Sequence, residues 1–455
     1  RKMQWRVVWL FCASLAVFCL LMLRLYYLSM NGALQQAAQK QSIYTLELGS
    51  TRGRIYDRNL IPLTDTEQHN LITVLPTAEA VKACAEQISG PQRRAALDSA
   101  AQGKPFALDL EGGEKVYAAD VENFTVAARL PHDPKQQLAV HLLGYQNGEG
   151  IGVCGLERAY EQELAAAGEA LQVRYQVNAV GRSLEGSGAQ IQGSSRPVQK
   201  GLVLTLDRRM QEIVQQVGAE QIERGAIVVM EVDSGAITAS ASFPQYDPYR
   251  LEEALHAPDS PMLNRALMPY CVGSSFKLAV AAAALESGIS PDFSVDCVGG
   301  ITVRERIFYC HNRAGHRQTD LQRAIEHSCN PYFIRLGQRV GAEKILGMAK
   351  ALGFGQETCL APGITAIAGT LPQRSDLANL YELANFSFGQ GKLTATPIQV
   401  AAMVSAIANG GKAVVPRLVQ GRTQDGTTLE PIAPTAPVRV FSEQTADILK
   451  RGMIG

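Results

Sequence analysis

The pattern of apolar and polar positions divides the chain into three stretches of different character. Residues 7–23, VVWLFCASLAVFCLLML, are apolar throughout, a pattern typical of a helix that crosses a membrane. Residues 25–198 mix short helical and extended patterns, and SSRPVQKG at 194–201 has the Pro, Ser and Gly content of a linker. From residue 199 onward, strand-like patterns come first and apolar helical patterns follow. We therefore expect an anchor and two further domains.

The first apolar stretch is flanked by groups that favour a retained anchor. The segment 1–6 carries Arg and Lys, and RLYY at 24–27 supplies a basic and aromatic flank of the kind found at a membrane interface. A cleaved signal peptide is the alternative, but it needs small residues at its cleavage site. We predict a cytoplasmic tail at 1–6 and a transmembrane anchor at 7–24. The rest of the chain is then expected on the extracytoplasmic side.

The third stretch reads as strands followed by helices. LVLTLD at 202–207 and GAIVVMEVDSGAITASASF at 225–243 are rich in β-branched residues and read as strands, and the Asp-Ser-Gly turn inside the second segment predicts a hairpin. Apolar helical patterns cover 275–286, 319–340, 343–352 and 396–409. Strands first and helices afterwards predict an α+β domain with an antiparallel sheet and flanking helices.

Charge and glycine patterns exclude two classes of ligand. The 43 Lys and Arg residues equal the 43 Asp and Glu residues in number, so no overall field recruits nucleic acid. Gly150, Gly152 and Gly155 form a G-x-G-x-x-G, the pattern of a dinucleotide site. Such a site needs a clear strand before it and an acidic residue at the end of the next strand, and both are missing. We interpret these glycines as turn residues and expect no cofactor.

The nine cysteines raise the question of disulfides and metals. Cys297 and Cys310 flank VGGITVRERIFY, a predicted hairpin that would bring the two thiols together. Zinc is the alternative, because His311 and His316 follow directly. The two cysteines are much further apart in sequence than the paired cysteines of zinc fingers. We therefore expect a disulfide or free thiols, and no metal.

The segment VGSSFKLAVAAAALESG, residues 272–288, places two polar groups at the start of an apolar helix. Ser274 and Lys277 are three residues apart, so their side chains share one helix face. An amine in apolar surroundings loses part of its preference for the charged form and is able to take a proton from the serine. The N–H groups of the helix N-terminus stabilise a developing oxyanion. Ser274 is thus predicted as a nucleophile and Lys277 as its base.

A second motif, AIEHSCNPYF at 324–333, contains Ser328 and Asn330. The hydroxyl of such a serine is able to relay a proton to a leaving group, and the Asn amide is able to hold both a lysine and a substrate amide. The alternative is a pair of hydrogen-bonding residues that end a helix before Pro331. Taken alone, this segment favours that structural alternative.

Together the two motifs match the pattern of penicillin-binding proteins and serine β-lactamases. The chain resembles the class B penicillin-binding proteins over nearly its whole length. Four longer segments carry this resemblance: TRGRIYDRN (51–59), GLERAYEQEL (155–164), GAIVVMEVDSGAITASASFPQYDP (225–248) and SFGQGKLTATPIQVAAMVSAIANGG (387–411). The resemblance implies a non-catalytic domain of the dimerisation or pedestal type at 25–198 and a transpeptidase domain at 199–455.

The resemblance also implies a mechanism. Ser274 would attack the D-Ala-D-Ala end of a peptidoglycan stem peptide, and an amine of a neighbouring stem would resolve the acyl-enzyme. Lys277 would act as the base, with Ser328 and Asn330 in the proton relay and the substrate grip. β-Lactams would acylate the same serine. The implied partners are stem peptides, β-lactams, the membrane, a membrane glycan polymerase and other wall-synthesis proteins.

The chain departs from the family pattern at three places. Val272 replaces a usual proline, and AGH at 314–316 differs from a more usual His-Gly order, so the resemblance assigns no role to His316. The third family motif, Lys-Thr/Ser-Gly, does not occur. We expect it beyond residue 455, and we expect residues 1–455 alone to bind penicillin very weakly.

Two other functions are compatible with these motifs. A serine β-lactamase or β-lactam sensor shares the fold, and Glu382 with Asn385 loosely resembles a deacylating pair. A long exported domain between the anchor and the catalytic domain argues against a lactamase. A non-catalytic scaffold of the wall-synthesis machinery is the second alternative, because the third motif is missing.

Overall fold

The computed structural model describes residues 2–32, 42–110, 114–178 and 188–454. The helices in chain order are α1 (Lys2–Met30), α2 (Ala78–Gln87), α3 (Gly90–Ala100), α4 (Val140–Leu143), α5 (Gly155–Ala159), α6 (Glu161–Ala166), α7 (Arg208–Gln221), α8 (Leu251–His256), α9 (Lys277–Glu286), α10 (Leu321–Glu326), α11 (Asn330–Val340), α12 (Ala342–Ala351), α13 (Leu380–Ser387), α14 (Pro397–Ala408) and α15 (Glu443–Ile454). The strands are β1 (Ile43–Ser50), β2 (Arg54–Tyr56), β3 (Glu67–Val74), β4 (Phe106–Leu110), β5 (Val121–Ala128), β6 (Ala170–Gln176), β7 (Gln190–Gln192), β8 (Gly201–Leu204), β9 (Gly225–Met230), β10 (Ile237–Phe243), β11 (Tyr270–Cys271), β12 (Val295–Cys297), β13 (Gly300–Val303), β14 (Arg306–Tyr309), β15 (Arg317–Thr319), β16 (Thr358–Ala361), β17 (Ile364–Ala366), β18 (Thr394–Ala395), β19 (Lys412–Ala413), β20 (Val419–Thr423), β21 (Glu430–Pro431) and β22 (Val438–Arg439).

The chain forms two compact units, and it crosses between them several times. The first unit comprises residues 1–51, 68–127 and 169–196, and the second comprises 52–67, 128–168 and 197–455. The last crossing lies between Arg196 and Pro197, inside the segment that the sequence predicts as a linker.

The first unit contains the apolar N-terminal helix and two three-stranded sheets. Within α1, Trp5–Met30 is long and apolar enough to cross a membrane, and its side chains are exposed. The helix extends beyond the predicted span of 7–24 at both ends. The sheets have the strand orders β1-β6-β7 and β4-β3-β5, and α2 and α3 pack beside the second sheet around a small core.

The second unit has the α+β architecture that the sequence predicts. A sheet of order β2-β8-β20-β21 contains one parallel pair, β2 with β8, and antiparallel pairs otherwise. The predicted hairpin at 225–243 is confirmed, because β9 and β10 pair antiparallel. Helix α9 lies in the largest core cluster, and its residues from Ala279 to Ala284 are all buried. Being apolar all round, α9 suits this central position, where α11, α12 and α15 pack against it.

The single helix predicted at 319–340 is wrong. The structure has two helices there, α10 and α11, with a break in which Ser328 adopts φ 50°. Pro331 has no N–H with which to continue the hydrogen bonds of a preceding helix, and it lies instead in the first turn of α11, where none is needed. The break therefore follows from the proline.

The G-x-G-x-x-G segment forms turns, as predicted. Gly155 begins α5 with φ 61°, and a side chain on it would overlap the carbonyl oxygen of Leu142. Gly152 is packed equally closely against the backbone of Glu157. These glycines serve close backbone packing at the start of a helix.

A buried network of charges joins two of the segments that carry the family resemblance. Arg52 donates from its two terminal guanidinium nitrogens to the carboxylate of Glu161, at 3.1 and 2.9 Å, and lies 3.2 Å from Glu157. Arg129 bridges Glu157 and Asp65 at 2.6 Å each. Burial raises the pKa of Asp65 against the opposing pull of two guanidinium groups. An unpaired buried charge is costly, so each charged residue of this network requires its oppositely charged partners. This requirement accounts for the charged residues in the segments 51–59 and 155–164.

Candidate active site

The backbone that carries Ser274 is a 3₁₀ turn, Gly273–Phe276, which continues directly into α9. Gly273 has φ 64°, and its N–H donates to the carbonyl of Gly389 at 2.9 Å. A side chain on Gly389 would overlap the carbonyl oxygen of Gly273, so glycine is required there. Strand β11, which precedes Gly273 in the chain, pairs with strand β18, which follows Gly389. The segment 387–411 therefore holds the turn in place through backbone hydrogen bonds. Ser274 itself is exposed.

Lys277 is buried, with 3% of its surface exposed. Its Nζ lies within hydrogen-bonding distance of four oxygen atoms: Oγ of Ser274 at 3.2 Å, the carbonyl oxygen and Oγ of Ser328 at 2.8 Å each, and Oδ1 of Asn330 at 2.7 Å. The ring of Phe333 lies 5.7 Å from Nζ. The three other candidate residues therefore all meet at this one amine.

The protonation of Lys277 is set by its burial. Loss of hydration lowers the pKa of Lys277 from its ordinary 10.5 to about 8, while the thiols of Cys310 and Cys329 act in the opposite direction. A neutral amine has two hydrogens and one lone pair. The carbonyl oxygen of Ser328 and Oδ1 of Asn330 are acceptors only and take both hydrogens. The lone pair then remains for a serine hydroxyl, which is the arrangement that a base requires.

Ser328 links the amine to the nucleophile. Its Oγ donates to Oγ of Ser274 at 2.9 Å and also accepts from Nζ of Lys277. The backbone of Ser328 has φ 50°, a left-handed conformation that is unfavourable for any residue other than glycine. Such strain persists where the surrounding structure enforces it, and it is found at functional sites.

Asn330 is the first residue of α11, and both the oxygen and the nitrogen of its side-chain amide make hydrogen bonds. Oδ1 accepts from Lys277, and Nδ2 donates to the carbonyl of Tyr309 at 3.1 Å. The second hydrogen on Nδ2 is chemically suited to a substrate carbonyl. All four residues that the sequence nominates thus lie within one hydrogen-bonded group.

The possible deacylating pair does not belong to this group. Glu382 and Asn385 lie on α13 and are not among the hydrogen-bonding partners of Ser274 or Lys277 in the described part of the chain. The hydrogen bond to Asp376 and the charge of that residue raise the pKa of Lys392, and the charge of Glu382 adds a smaller effect in the same direction.

A cluster that the sequence analysis missed lies beside the site. Three thiols and an imidazole converge within 4.8 Å of one another, and the structure records the thiols as free; the members are Cys297, Cys310, His316 and Cys329. The sequence spacing favoured a disulfide or free thiols at Cys297 and Cys310 over a zinc site completed by His311 and His316, and Cys329 was not considered. The predicted hairpin of β13 and β14 is confirmed and does bring Cys297 and Cys310 together. The clue was available, since Cys329 stands between Ser328 and Asn330.

Comparisons with known proteins identify the family of the chain. Residues 225–455 match the family described as the penicillin binding protein transpeptidase domain. Stage V sporulation protein D of Bacillus subtilis is 29% identical over 97% of this chain and 71% of its own length. The peptidoglycan D,D-transpeptidase MrdA of Salmonella typhimurium is 26% identical over 94% of this chain and 77% of its own.

A solved structure shares the fold. In the complex of penicillin-binding protein PBP2 with MreC from Helicobacter pylori, a chain matches 90% of this one with a TM-score of 0.62 and 21% identity, over 84% of its own length. The family match covers more than half of the 455 residues and contains all four candidate residues. The chain therefore belongs to the penicillin-binding protein transpeptidase family, and within it to the class B penicillin-binding proteins.

Proposed function

We propose that this protein cross-links peptidoglycan stem peptides by serine acyl transfer and that β-lactams inhibit it by acylating the same serine. The observation that carries the proposal is the convergence of Ser274, Ser328 and Asn330 on the buried amine of Lys277. Relatives named as peptidoglycan D,D-transpeptidases support it.

The first step forms the acyl-enzyme. Oγ of Ser274 attacks the carbonyl carbon of the penultimate D-Ala while its proton passes to the neutral amine of Lys277. The oxyanion is stabilised by N–H groups at the start of the turn that leads into α9, Ser274 supplying the first of them. Ser328 then passes a proton from the ammonium to the nitrogen of the terminal D-Ala, which leaves as the free amino acid. Lys277 returns to its neutral form.

The second step runs the same path in reverse with a different amine. An amino group from a neighbouring stem attacks the ester carbonyl, and its proton is taken up through Ser328 and Lys277. The bond to Oγ of Ser274 breaks, the serine recovers its proton, and the new amide is the cross-link. Asn330 holds Lys277 through Oδ1 and donates its second Nδ2 hydrogen to a carbonyl of the stem peptide throughout. β-Lactams imitate the D-Ala-D-Ala end and remain on Ser274 because the second step is slow.

The location follows from the N-terminal helix. Trp5–Met30 spans about 39 Å as a helix, enough for a hydrocarbon core of about 30 Å. Its basic N-terminal flank supports a cytoplasmic N-terminus, which puts the chain beyond this helix on the extracytoplasmic side. A membrane glycan polymerase or another wall-synthesis protein is the expected partner, and the complex of the similar PBP2 with MreC supports such a partner.

An acyl-transfer assay distinguishes this proposal from its two alternatives. The protein, produced from its own gene in membranes, is incubated with a stem pentapeptide that ends in D-Ala-D-Ala and with an excess of a labelled amine acceptor. We expect stoichiometric release of D-Ala and labelled transfer product, and Ser274→Ala should abolish both, whereas Ser275→Ala should retain them.

The alternatives predict different products. Rapid turnover of a chromogenic β-lactam without labelled transfer product would indicate a β-lactamase and contradict the proposal. Neither release nor transfer, in protein that is folded, would indicate a scaffold.

A further inference from the structure

We propose that a groove on the exposed face of the hairpin formed by β13 and β14, hereafter the hairpin groove, binds the donor stem peptide upstream of its reacting D-Ala. Within it, Arg313 holds the free α-carboxylate of the D-glutamate residue of that peptide. Because the donor stem is a substrate of the proposed transpeptidation, this role of the groove rests on that function. The residues that line the hairpin groove include Val298, Gly300, Thr302, Ile307, Tyr309 and Arg313.

The hairpin has one buried face and one exposed face. Ile301 and Phe308, which pair across the two strands, are buried in a small core cluster. Ile307 and Tyr309 precede and follow Phe308 in β14 and therefore point to the opposite face, where they are 50% and 54% exposed. Val298 is 60% exposed. A patch of exposed apolar side chains that lines a concave space of about 400 Å³ is typical of a ligand groove.

Arg313 supplies a fixed positive charge in the hairpin groove. Its guanidinium carbon lies over the ring of Tyr309, 3.8 Å from the ring centroid, a cation–π contact that restrains the side chain. Among the described residues, no carboxylate forms an ion pair with this guanidinium. The segment 298–317 contains four arginines and one glutamate, so the local field favours an anion. The hairpin groove is therefore suited to a carboxylate that lies beside apolar groups.

The hairpin groove begins next to the active site. The carbonyl oxygen of Tyr309 accepts from Nδ2 of Asn330 at 3.1 Å, and Oδ1 of Asn330 lies 2.7 Å from Nζ of Lys277. That amine lies 3.2 Å from Oγ of Ser274, so three hydrogen bonds join the nucleophile to the strand that forms the groove. An extended peptide advances about 3.3–3.6 Å per residue, so about three residues cover such a path. A stem peptide bound at Ser274 is therefore long enough to enter the groove with the residues that precede its reacting D-Ala.

The stem peptide offers both kinds of group that the hairpin groove accepts. The residue before the reacting D-Ala has a long, largely aliphatic side chain, which packs against Val298 and Ile307. The residue before that is a γ-linked D-glutamate, whose free α-carboxylate pairs with Arg313. Arginine binds a carboxylate through two parallel hydrogen bonds, and charge makes these stronger than neutral ones. Benzylpenicillin has no counterpart of either group, so the groove distinguishes the peptide from the antibiotic.

Acylation by two stem peptides of different charge tests the role of Arg313. The protein, produced from its own gene, is mixed with L-Ala-γ-D-Glu-L-Lys-D-Ala-D-Ala, acetylated on both amines so that the peptide acts only as a donor. The second peptide has D-isoglutamine in place of D-glutamate. Intact-protein mass spectrometry follows the acyl-enzyme. We expect Arg313→Ala to slow acylation by the glutamate peptide about tenfold and acylation by the isoglutamine peptide much less. Arg335→Ala, at an exposed arginine of α11, should be acylated by both peptides at wild-type rates.

The ring of Tyr309 is expected to act through Arg313. Tyr309→Leu removes the aromatic face that restrains the guanidinium and should lose part of the preference for the glutamate peptide. Tyr309→Phe keeps that face and should retain the preference. Both variants keep the backbone carbonyl that accepts from Asn330, so the comparison isolates the ring. Equal preferences in the two variants would contradict restraint by the ring.

Binding to Ser274→Ala protein, which forms no acyl-enzyme at this serine, separates the groove from the chemistry. The glutamate peptide should bind about tenfold more tightly than the isoglutamine peptide, and adding Arg313→Ala should remove this difference. This measurement decides even where the wild-type protein forms no acyl-enzyme with either peptide, a result that would contradict the proposed transpeptidation instead.

Two outcomes would overturn the inference. One is equal affinity of Ser274→Ala protein for the two peptides, or a preference for glutamate that survives Arg313→Ala. The other comes from a third peptide, with D-isoglutamine and with diaminopimelate in place of lysine, which carries its extra carboxylate on the next residue. Binding of this peptide that depends on Arg313, without such dependence for the glutamate peptide, would assign the arginine to a different carboxylate.

Discussion

Lys277→Met will abolish most acylation by penicillin while leaving the second unit folded. The variant removes the amine that accepts the proton of Ser274, a role in which a positioned base accelerates reactions about 10²- to 10⁴-fold. Methionine keeps the length of the side chain and removes a buried amine, but it leaves Oδ1 of Asn330 and the carbonyl oxygen of Ser328 without this donor, so the thermal midpoint should fall only modestly. Lys344→Met, at an exposed lysine of α12, should acylate at the wild-type rate.

The pH dependence of the wild-type protein provides a second view of the same amine. Because the pKa of Lys277 is lowered to about 8, the neutral base becomes scarcer as pH falls below that value. The acylation rate should rise about tenfold per unit of pH on the acidic side and level off above pH 8. Stopped-flow measurements with a chromogenic cephalosporin record this profile. A rate that falls between pH 7 and 9, or a Lys277→Met variant with wild-type acylation, would contradict the role of Lys277 as base.

Ser328→Ala and Ser328→Gly, made as a pair, should both lose about 10²-fold or more in acylation rate. Both remove the hydroxyl that joins Lys277 to Ser274 at 2.9 Å. They differ in backbone strain, because φ 50° costs alanine about 1–2 kcal/mol that glycine does not pay. We therefore expect the glycine variant to be the more stable of the two in thermal unfolding.

This pair separates the chemistry of the hydroxyl from the shape of the backbone. Equal losses of rate, in variants of unequal stability, would mean that the hydroxyl itself transfers the proton. Near wild-type acylation by the glycine variant would show that residue 328 serves only to shape the turn, and the proton relay would have to be reassigned.

Local patterns predicted the parts of the site that lie close together in sequence. Ser274 and Lys277 share a helix face because of their spacing, and the β-branched run with its Asp-Ser-Gly turn formed the hairpin of β9 and β10. The fold class followed from the order of these patterns.

What the sequence analysis missed depends on contacts between distant segments. The apolar periodicity runs on across 319–340, so the break at Ser328 becomes visible only when the effect of Pro331 is added. The side chains of Cys297, Cys310, His316 and Cys329 come together from four separate segments, and no local spacing encodes their meeting. The buried pairing of Arg52 with Glu157 likewise joins residues more than a hundred positions apart, which periodicity does not detect.

The central claim is that Ser274 is the nucleophile, and mapping the penicilloyl group tests it most directly. The protein, produced from its own gene, is incubated with penicillin, digested, and analysed by tandem mass spectrometry. We predict a single adduct on Ser274 that Ser274→Ala removes and Ser275→Ala, at the adjacent exposed serine, leaves in place. An adduct on Ser275 or Ser328, or one that persists in Ser274→Ala, would contradict the account.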